Sequence, residues 1–233
     1  MYTLKQNGQQ AIYQIINPLI NLLVALKVTP NMVTTIGLGL NMIAAAIFIF
    51  GAEATMRADL SYVGWGGAMI LFAGVFDMID GRLARVANMS SKFGAFYDSV
   101  LDRYSEMFMF LGICYYLIAN DYLLSSFVAF LALIGSSMVS YTRARAEGLG
   151  IKCDIGLMQR PERVVIIGAS ALFCGILSPV LGEGFKIEGI SPNLPWFETI
   201  SIFTIPLAIV ALLSNVTAIR RIQHTEKELA KLK

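Results

Sequence analysis

Residues 28–52 contain no charged side chain, and comparable uncharged runs recur at 60–76, 122–142, 164–182 and 199–219. A helix needs roughly 20 mostly apolar residues to cross a bilayer, so a chain with this pattern cannot fold as an ordinary water-soluble domain. A further apolar stretch, 107–120, is too short alone. It reaches spanning length when its helix starts near Ser91 and carries Asp98, Asp102 and Arg103 with it. The run from 60 likewise continues through Asp77, Asp80 and Arg85. The expected fold class is therefore all-α, an integral membrane protein with six transmembrane helices. Composition agrees, with 56% hydrophobic and only 15% charged residues, against about 25% charged in soluble domains.

Before the first span, residues 6–26 are uncharged but rich in Gln and Asn. Ile12, Ile15, Ile16, Leu19, Ile20 and Leu23 recur at three- and four-residue steps, with Gln10, Gln14 and Asn21 off that face. This pattern predicts an amphipathic helix lying in the membrane interface. The domain division expected is 1–27 for that helix, 28–222 for the membrane domain and 223–233 for a cytoplasmic tail. Residues 1–10 lack a basic segment followed by a short apolar one, so no cleavable signal is expected. Cys114, Cys153 and Cys174 are odd in number and without paired spacing, which supports neither a disulfide framework nor a zinc site.

Lys and Arg placement sets the topology. With six spans and both ends on one side, Arg57 and Lys186 fall opposite and Arg103 lies within a helix. The other fifteen of the eighteen basic residues share the side of the termini. Both termini are expected in the cytoplasm, with the connections around Arg82–Lys92 and Arg143–Arg163. Without a eukaryotic targeting signal, the inner membrane of a prokaryote is the simplest location.

Ionisable groups inside spans cost about 2.5–3.5 kcal/mol each on insertion scales and mark function by default. Four gather here: Asp77, Asp80, Asp98 and Asp102. At 100° per residue, Asp77, Asp80, Gly81, Ala84 and Arg85 share one helical stripe roughly 140° wide. Gly94, Asp98 and Asp102, four apart, share a face of the next helix. A short turn at 87–91 should make the two helices antiparallel neighbours whose acidic stripes meet near the cytoplasmic surface. Four carboxylates at this density, with no His or Cys cluster, suit Mg²⁺ or Mn²⁺ rather than zinc. Two such ions can clamp a diphosphate, and Gly81 and Ala84 leave room for it. Metal-dependent phosphoryl chemistry is the reading favoured. An ion pathway, and structural pairing with Arg82, Arg85 and Arg103, are the alternatives that spacing leaves open.

The residues Asp77, Asp80, Gly81, Ala84, Arg85, Gly94, Asp98 and Asp102, at these intervals, match the signature of the CDP-alcohol phosphotransferases at every position. The chain resembles that family from Thr29-Pro30-Asn31 through all six spans. The resemblance implies transfer of the phosphoryl-bearing group of a CDP-linked substrate to a hydroxyl, with release of CMP at the cytoplasmic membrane surface. It implies two divalent cations held by Asp77, Asp80 and Asp98, with Asp102 sharing a metal and acting as general base. It places Asp77, Gly81, Ala84 and Arg85 at the CDP moiety, and it implies a homodimer with a lipid-facing groove.

A second cluster bears on the acceptor. Arg143 and Arg145 end the fourth span, Arg160 and Arg163 begin the fifth, and Arg220-Arg221 end the sixth. Arginine forks suit a phosphate dianion, and Arg163 sits in a first helical turn, where the dipole favours an anion. The positive-inside rule and contact with anionic lipid account for part of this charge. The block from Ser140 to Arg163 resembles family members from actinobacteria and archaea that use inositol 1-phosphate rather than free inositol. By that resemblance Arg143 (a lysine in the pattern), Arg163 and Arg221 hold the acceptor phosphate, with Arg160 and Arg145 as further candidates. The implied reaction takes CDP-diacylglycerol and inositol 1-phosphate to phosphatidylinositol phosphate. A synthase using glycerol 3-phosphate, or a cation transporter using the buried aspartates, are the competing readings, and no nucleic-acid partner is expected.

Among the remaining residues, His224 is expected at the surface, Pro161 and Pro195 at helix starts, and Pro206 as a kink in the last span. Glu106 is expected to pair with Arg103 or to reach the metal region, the structural role being favoured. Glu147 and Glu162 are expected to orient nearby arginines.

Overall fold

The computed structural model describes residues 16–57, 59–182, 185–187 and 196–231. Its helices are α1 (Ile16–Ala25), α2 (Pro30–Ala54), α3 (Ser61–Val86), α4 (Lys92–Ala119), α5 (Leu123–Glu147), α6 (Arg160–Leu181) and α7 (Ser201–Ala230). A two-residue antiparallel pair, β1 (Lys186–Ile187) with β2 (Phe197–Glu198), precedes α7. Five of the long helices, α2, α3, α5, α6 and α7, are long and apolar enough to cross a membrane. The remaining one, α4, is 28 residues long but carries Asp98, Asp102 and Arg103 in its first half and Glu106 at its middle.

Local chemistry sets the helix ends. Thr29 caps α2, its hydroxyl accepting from the Met32 N–H at 3.4 Å, and Pro30 fills the opening position, where its missing N–H costs nothing. Ser91 caps α4 in the same way, accepting from the Gly94 N–H at 2.9 Å. Between them α3 ends with Asn88 in the left-handed region (φ 55°), which Asn tolerates. There the Met89 N–H returns to the Ala84 carbonyl at 2.9 Å. Pro161 lies in the opening turn of α6 and Pro206 inside α7, as the sequence predicts; Pro195 lies outside the described residues.

The packing of α3 and α4 differs from expectation. The two are consecutive, but α2 lies between them and packs along both, while α3 packs on α6 and α5 on α7. Small residues allow this: a Cβ added at Gly112 of α4 would stand 2.6 Å from the Ala45 Cα of α2. The acidic faces of α3 and α4 therefore look at each other across a gap at the end of α2. The seam between α3 and α6 is also made of glycine. A Cβ at Gly64 would come within 2.9 Å of the Gly175 Cα, and one at Gly168 within 3.2 Å of the Gly67 carbonyl. Such close backbone approach is how membrane helices gain packing energy without a hydrophobic drive. It sets the start of α6 beside the acidic end of α3.

Polarity separates along the bundle. Phe48, Tyr116 and Phe203 pack at 6.1–6.4 Å between ring centres in the main apolar core, whereas the four aspartates and the arginines around them gather away from it, where α3 ends and α4 and α6 begin. On α1, Ile16 and Ile20 are buried against Val33, Ile79 and Leu83, with Leu23 beside them. The predicted apolar face is thus partly present, although Leu19 is 43% exposed. Ile12, Ile15, Gln10 and Gln14 lie outside the described residues.

Candidate active site

Asp77 and Asp80 sit one helical step apart near the end of α3, and Asp98 and Asp102 one turn apart near the start of α4. Of the four, Asp80 and Asp98 line one cavity and Asp102 lines a second, while Asp77 lines neither and is joined to Asp102 through Arg160.

The smaller cavity, of about 200 Å³, is lined by Asp80, Gly81 and Ala84 of α3, Gly94 and Asp98 of α4, and Thr34 with Asn31 of α2. The Thr34 hydroxyl donates to Asp80 Oδ2 at 2.8 Å, fixing a carboxylate that is only 5% exposed. A Cβ added at Gly81 would meet nothing within 4 Å. That stretch of helix backbone therefore stands open to a ligand. Arg85 is exposed and does not line this cavity, and neither does Asp77.

Asp77 turns instead toward α6. Arg160 Nη1 donates to Asp77 Oδ2 at 2.6 Å and stands 2.9 Å from Asp102 Oδ1, so one guanidinium bridges carboxylates from two helices. Asp98 also interacts electrostatically with Arg160.

The larger cavity, of about 1090 Å³, opens beside Asp102 and contains Arg143, Arg160, Arg163 and Arg221, with Ser140 and Gln159 among its other lining residues. Four of the five arginines proposed for an acceptor phosphate thus converge. Arg145 is exposed and lines neither cavity. The converging arginines are held by protein acceptors. Arg163, 1% exposed, donates through Nε and Nη2 to Glu106 Oε1 and through Nη1 to the Met158 carbonyl at 2.9 Å. Arg221 donates to the carbonyls of Ile155 and Val139. Arg143 Nε donates to Glu147 at 2.9 Å, and its Nη1 lies 3.5 Å from Asp154.

Glu147 therefore orients an arginine as expected. The buried Oε2 of Glu162 has no hydrogen-bond partner among the described residues. Glu106 does approach Arg103, at 3.8 Å, but its main partner is Arg163. His224 lies at the exposed end of α7 against the Lys152 carbonyl at 3.3 Å. Thr34 and the Glu106–Arg163 pair were not anticipated from sequence. No sequence signal marks Thr34 beyond its lying one turn past the Thr29 cap. The three cysteines are free thiols.

The donor set suits a hard divalent cation, because every candidate ligand is a carboxylate oxygen. The position between Asp77 and Asp102 already holds a positive group, the guanidinium of Arg160. Among the described residues no three acidic, His or Cys side chains stand ready to enclose an ion together. The acids that would hold one are Asp77, Asp80, Asp98 and Asp102, drawn together from the two sides of the gap.

Known proteins resemble this chain over most of its length. The family model described as CDP-alcohol phosphatidyltransferase matches residues 27–222. The phosphatidylinositol phosphate synthase of Mycobacteroides abscessus is 34% identical over 169 residues, 72% of this chain and 73% of that one. The archaetidylinositol phosphate synthase of Pyrococcus horikoshii is 33% identical over 209 residues, 89% and 88% of the two chains. The crystal structure of the Mycobacterium tuberculosis phosphatidylinositol phosphate synthase with CDP-DAG bound matches with a TM-score of 0.70 at 26% identity. The match covers 91% of this chain and 94% of that one. The structure of the same M. tuberculosis synthase with manganese and citrate gives 0.68 at 25% identity, covering 89% and 87%.

Proposed function

This chain belongs to the CDP-alcohol phosphatidyltransferase family, and on that premise we propose that it moves the phosphatidyl group of CDP-diacylglycerol to a hydroxyl of inositol 1-phosphate. A bond forms between the acceptor oxygen and the phosphorus that carries diacylglycerol. The bond from that phosphorus to the bridging diphosphate oxygen breaks, CMP leaves with the electron pair, and the hydroxyl proton passes to Asp102.

The observation that carries the acceptor assignment is the larger cavity, where Asp102 faces the same space as Arg143, Arg160, Arg163 and Arg221. A neutral alcohol has no use for four converging guanidinium groups, whereas a phosphate dianion does. Arg143, Arg163 and Arg221 being held by Glu147, Glu106 and backbone carbonyls favours this use, because preorganised donors lose less freedom on binding. Asp102 stands where it can take the proton of a hydroxyl whose phosphate is anchored there.

The CDP moiety is assigned to the smaller cavity. Gly81 leaves the α3 backbone open, Ala84 keeps the wall low, and Asp80 is aimed by Thr34. Asp77, Asp80, Asp98 and Asp102 would hold two divalent cations, Mg²⁺ or Mn²⁺, and the manganese-containing relative supports a divalent metal. When bound, such ions neutralise the diphosphate and stabilise the departing CMP oxygen.

Six spans, α2 to α7, are proposed, with α1 in the interface. The basic helix ends and both cavities then face the cytoplasm of a prokaryotic cell, and the protein assembles as a homodimer.

The test is CMP release by purified protein in detergent with CDP-diacylglycerol and a divalent cation. Inositol 1-phosphate, glycerol 3-phosphate, free inositol and serine are offered in parallel. Release with inositol 1-phosphate alone is expected. Release with glycerol 3-phosphate keeps the phosphate site but overturns the inositol assignment, and release with a neutral alcohol alone overturns the use of the arginines. A cation transporter releases no CMP with any of them.

A further inference from the structure

Arg160 belongs to both halves of the site at once. Its Nη1 lies within 2.6–2.9 Å of Asp77 and Asp102, yet the same side chain lines the larger cavity with Arg143, Arg163 and Arg221. Those three are engaged by groups that no reactant displaces, namely Glu106, Glu147, Asp154 and the carbonyls of Met158, Ile155 and Val139. The described ion-pair partners of Arg160 are the carboxylates that a divalent cation competes for.

Its seat is also incomplete, because the buried Nε has no hydrogen-bond partner among the described residues. A buried donor left unsatisfied weakens the hold of a site on its occupant. Arg160 is the first residue of α6, reached from the connection that follows α5, so its long side chain can turn about the helix end while Arg163, one turn on, stays fixed.

We propose that Arg160 is a positioning residue that couples the two cavities. It balances Asp77 and Asp102 until a divalent cation takes those carboxylates, and it then turns into the larger cavity to complete the seat for the acceptor phosphate. The consequence is a binding order, with cation and CDP-lipid preparing the acceptor site. By linkage, cation and acceptor tighten each other by the same factor. The second half of this proposal rests on the assignment of the larger cavity to a phosphorylated acceptor; the competition with the cation does not.

The experiment titrates Mn²⁺ into full-length protein in detergent, without nucleotide or acceptor, and follows free Mn²⁺ by electron paramagnetic resonance. Arg160→Gln is expected to bind Mn²⁺ about fivefold or more tighter than wild type, at the low end of typical coupling factors. Arg160→Lys, which keeps the charge and guards against a folding defect, is expected to stay near wild type. Equal or weaker Mn²⁺ binding by a folded Arg160→Gln overturns the competition.

Calorimetry with inositol 1-phosphate then reads the coupling. Mn²⁺ is expected to tighten acceptor binding in wild type and to have no such effect in Arg160→Gln. Equal tightening in both overturns the role of Arg160 as the link. If wild type binds no inositol 1-phosphate with or without Mn²⁺, the acceptor assignment fails, and the Mn²⁺ titration still decides the competition.

Discussion

Arg163 and Glu106 grip one another inside the protein, Nε and Nη2 of the guanidinium both donating to Oε1 of the carboxylate, with 1% and 3% of the two residues exposed. Removing one member of such a pair strands the other charge, at a cost of about 3–5 kcal/mol. Glu106→Ala is expected to lower the melting temperature in detergent markedly. Glu106→Gln, which keeps an acceptor for Arg163, is expected to melt closer to wild type but to show a raised KM for the acceptor. An unchanged melting curve for Glu106→Ala would refute the structural part of this pairing.

Asp102 and Asp77 share Arg160 but are assigned different work. Asp102→Asn is expected to reduce CMP release by roughly 10²–10⁴-fold, the usual contribution of a general base, with CDP-diacylglycerol still bound. Asp77→Asn is expected to weaken cation and CDP-lipid binding together. Near-normal turnover by Asp102→Asn shows that the proton goes elsewhere.

Thr34 acts through Asp80. Thr34→Val is close in shape and removes only the hydroxyl that donates at 2.8 Å. Changing a partner that orients a metal ligand commonly costs about 10–100-fold in metal affinity or activity. The variant should therefore require more Mg²⁺ or Mn²⁺ for half-maximal CMP release, with its melting temperature little altered. A cation requirement identical to wild type would remove Thr34 from the site.

Gly81 separates stability from binding. Within a helix, alanine is more favourable than glycine by roughly 0.5–1 kcal/mol, and nothing crowds the added Cβ. Gly81→Ala should melt at or slightly above wild type. Gly81→Leu should remain folded while losing CDP-lipid binding, because its side chain enters the smaller cavity. Full binding by Gly81→Leu would show that the nucleotide lies elsewhere.

The helices were legible in sequence because length and hydropathy act locally, and the carboxylates because their spacing places them on helix faces. What lay beyond reach was the relation between faces. The short turn at 87–91 implies that α3 and α4 are direct neighbours, yet α2 packs along both. The small residues that let α2 slide between them become informative only once packing is known. Sequence offers Glu106 only Arg103, three residues before it on the same helix, or the metal region. Its main partner is 57 residues distant. Thr34 is 46 residues from the carboxylate it orients. The arginines of α5 and α6 lie at helix ends as the sequence implies, whereas α7 runs on to Ala230 and carries Arg220 and Arg221 within it. Their different partners, and the exposure of Arg145, depend on side-chain directions that spacing does not encode.

The bridge from Arg160 to Asp77 spans 83 residues of sequence, and this has a consequence for how the protein is made. Each acid in α3 and α4 raises the cost of leaving the translocon for lipid by about 2.5–3.5 kcal/mol, and ribosomal synthesis delivers both helices well before α6. Until Arg160 emerges, Asp77 and Asp102 lack the cation that holds them together. The nascent α4, poorest in apolar length, depends on α2 for company in the bilayer. Biogenesis thus ends where chemistry begins, with α6 as the closing helix. A chain interrupted before Arg160 is the form that membrane quality-control proteases should recognise as unfinished.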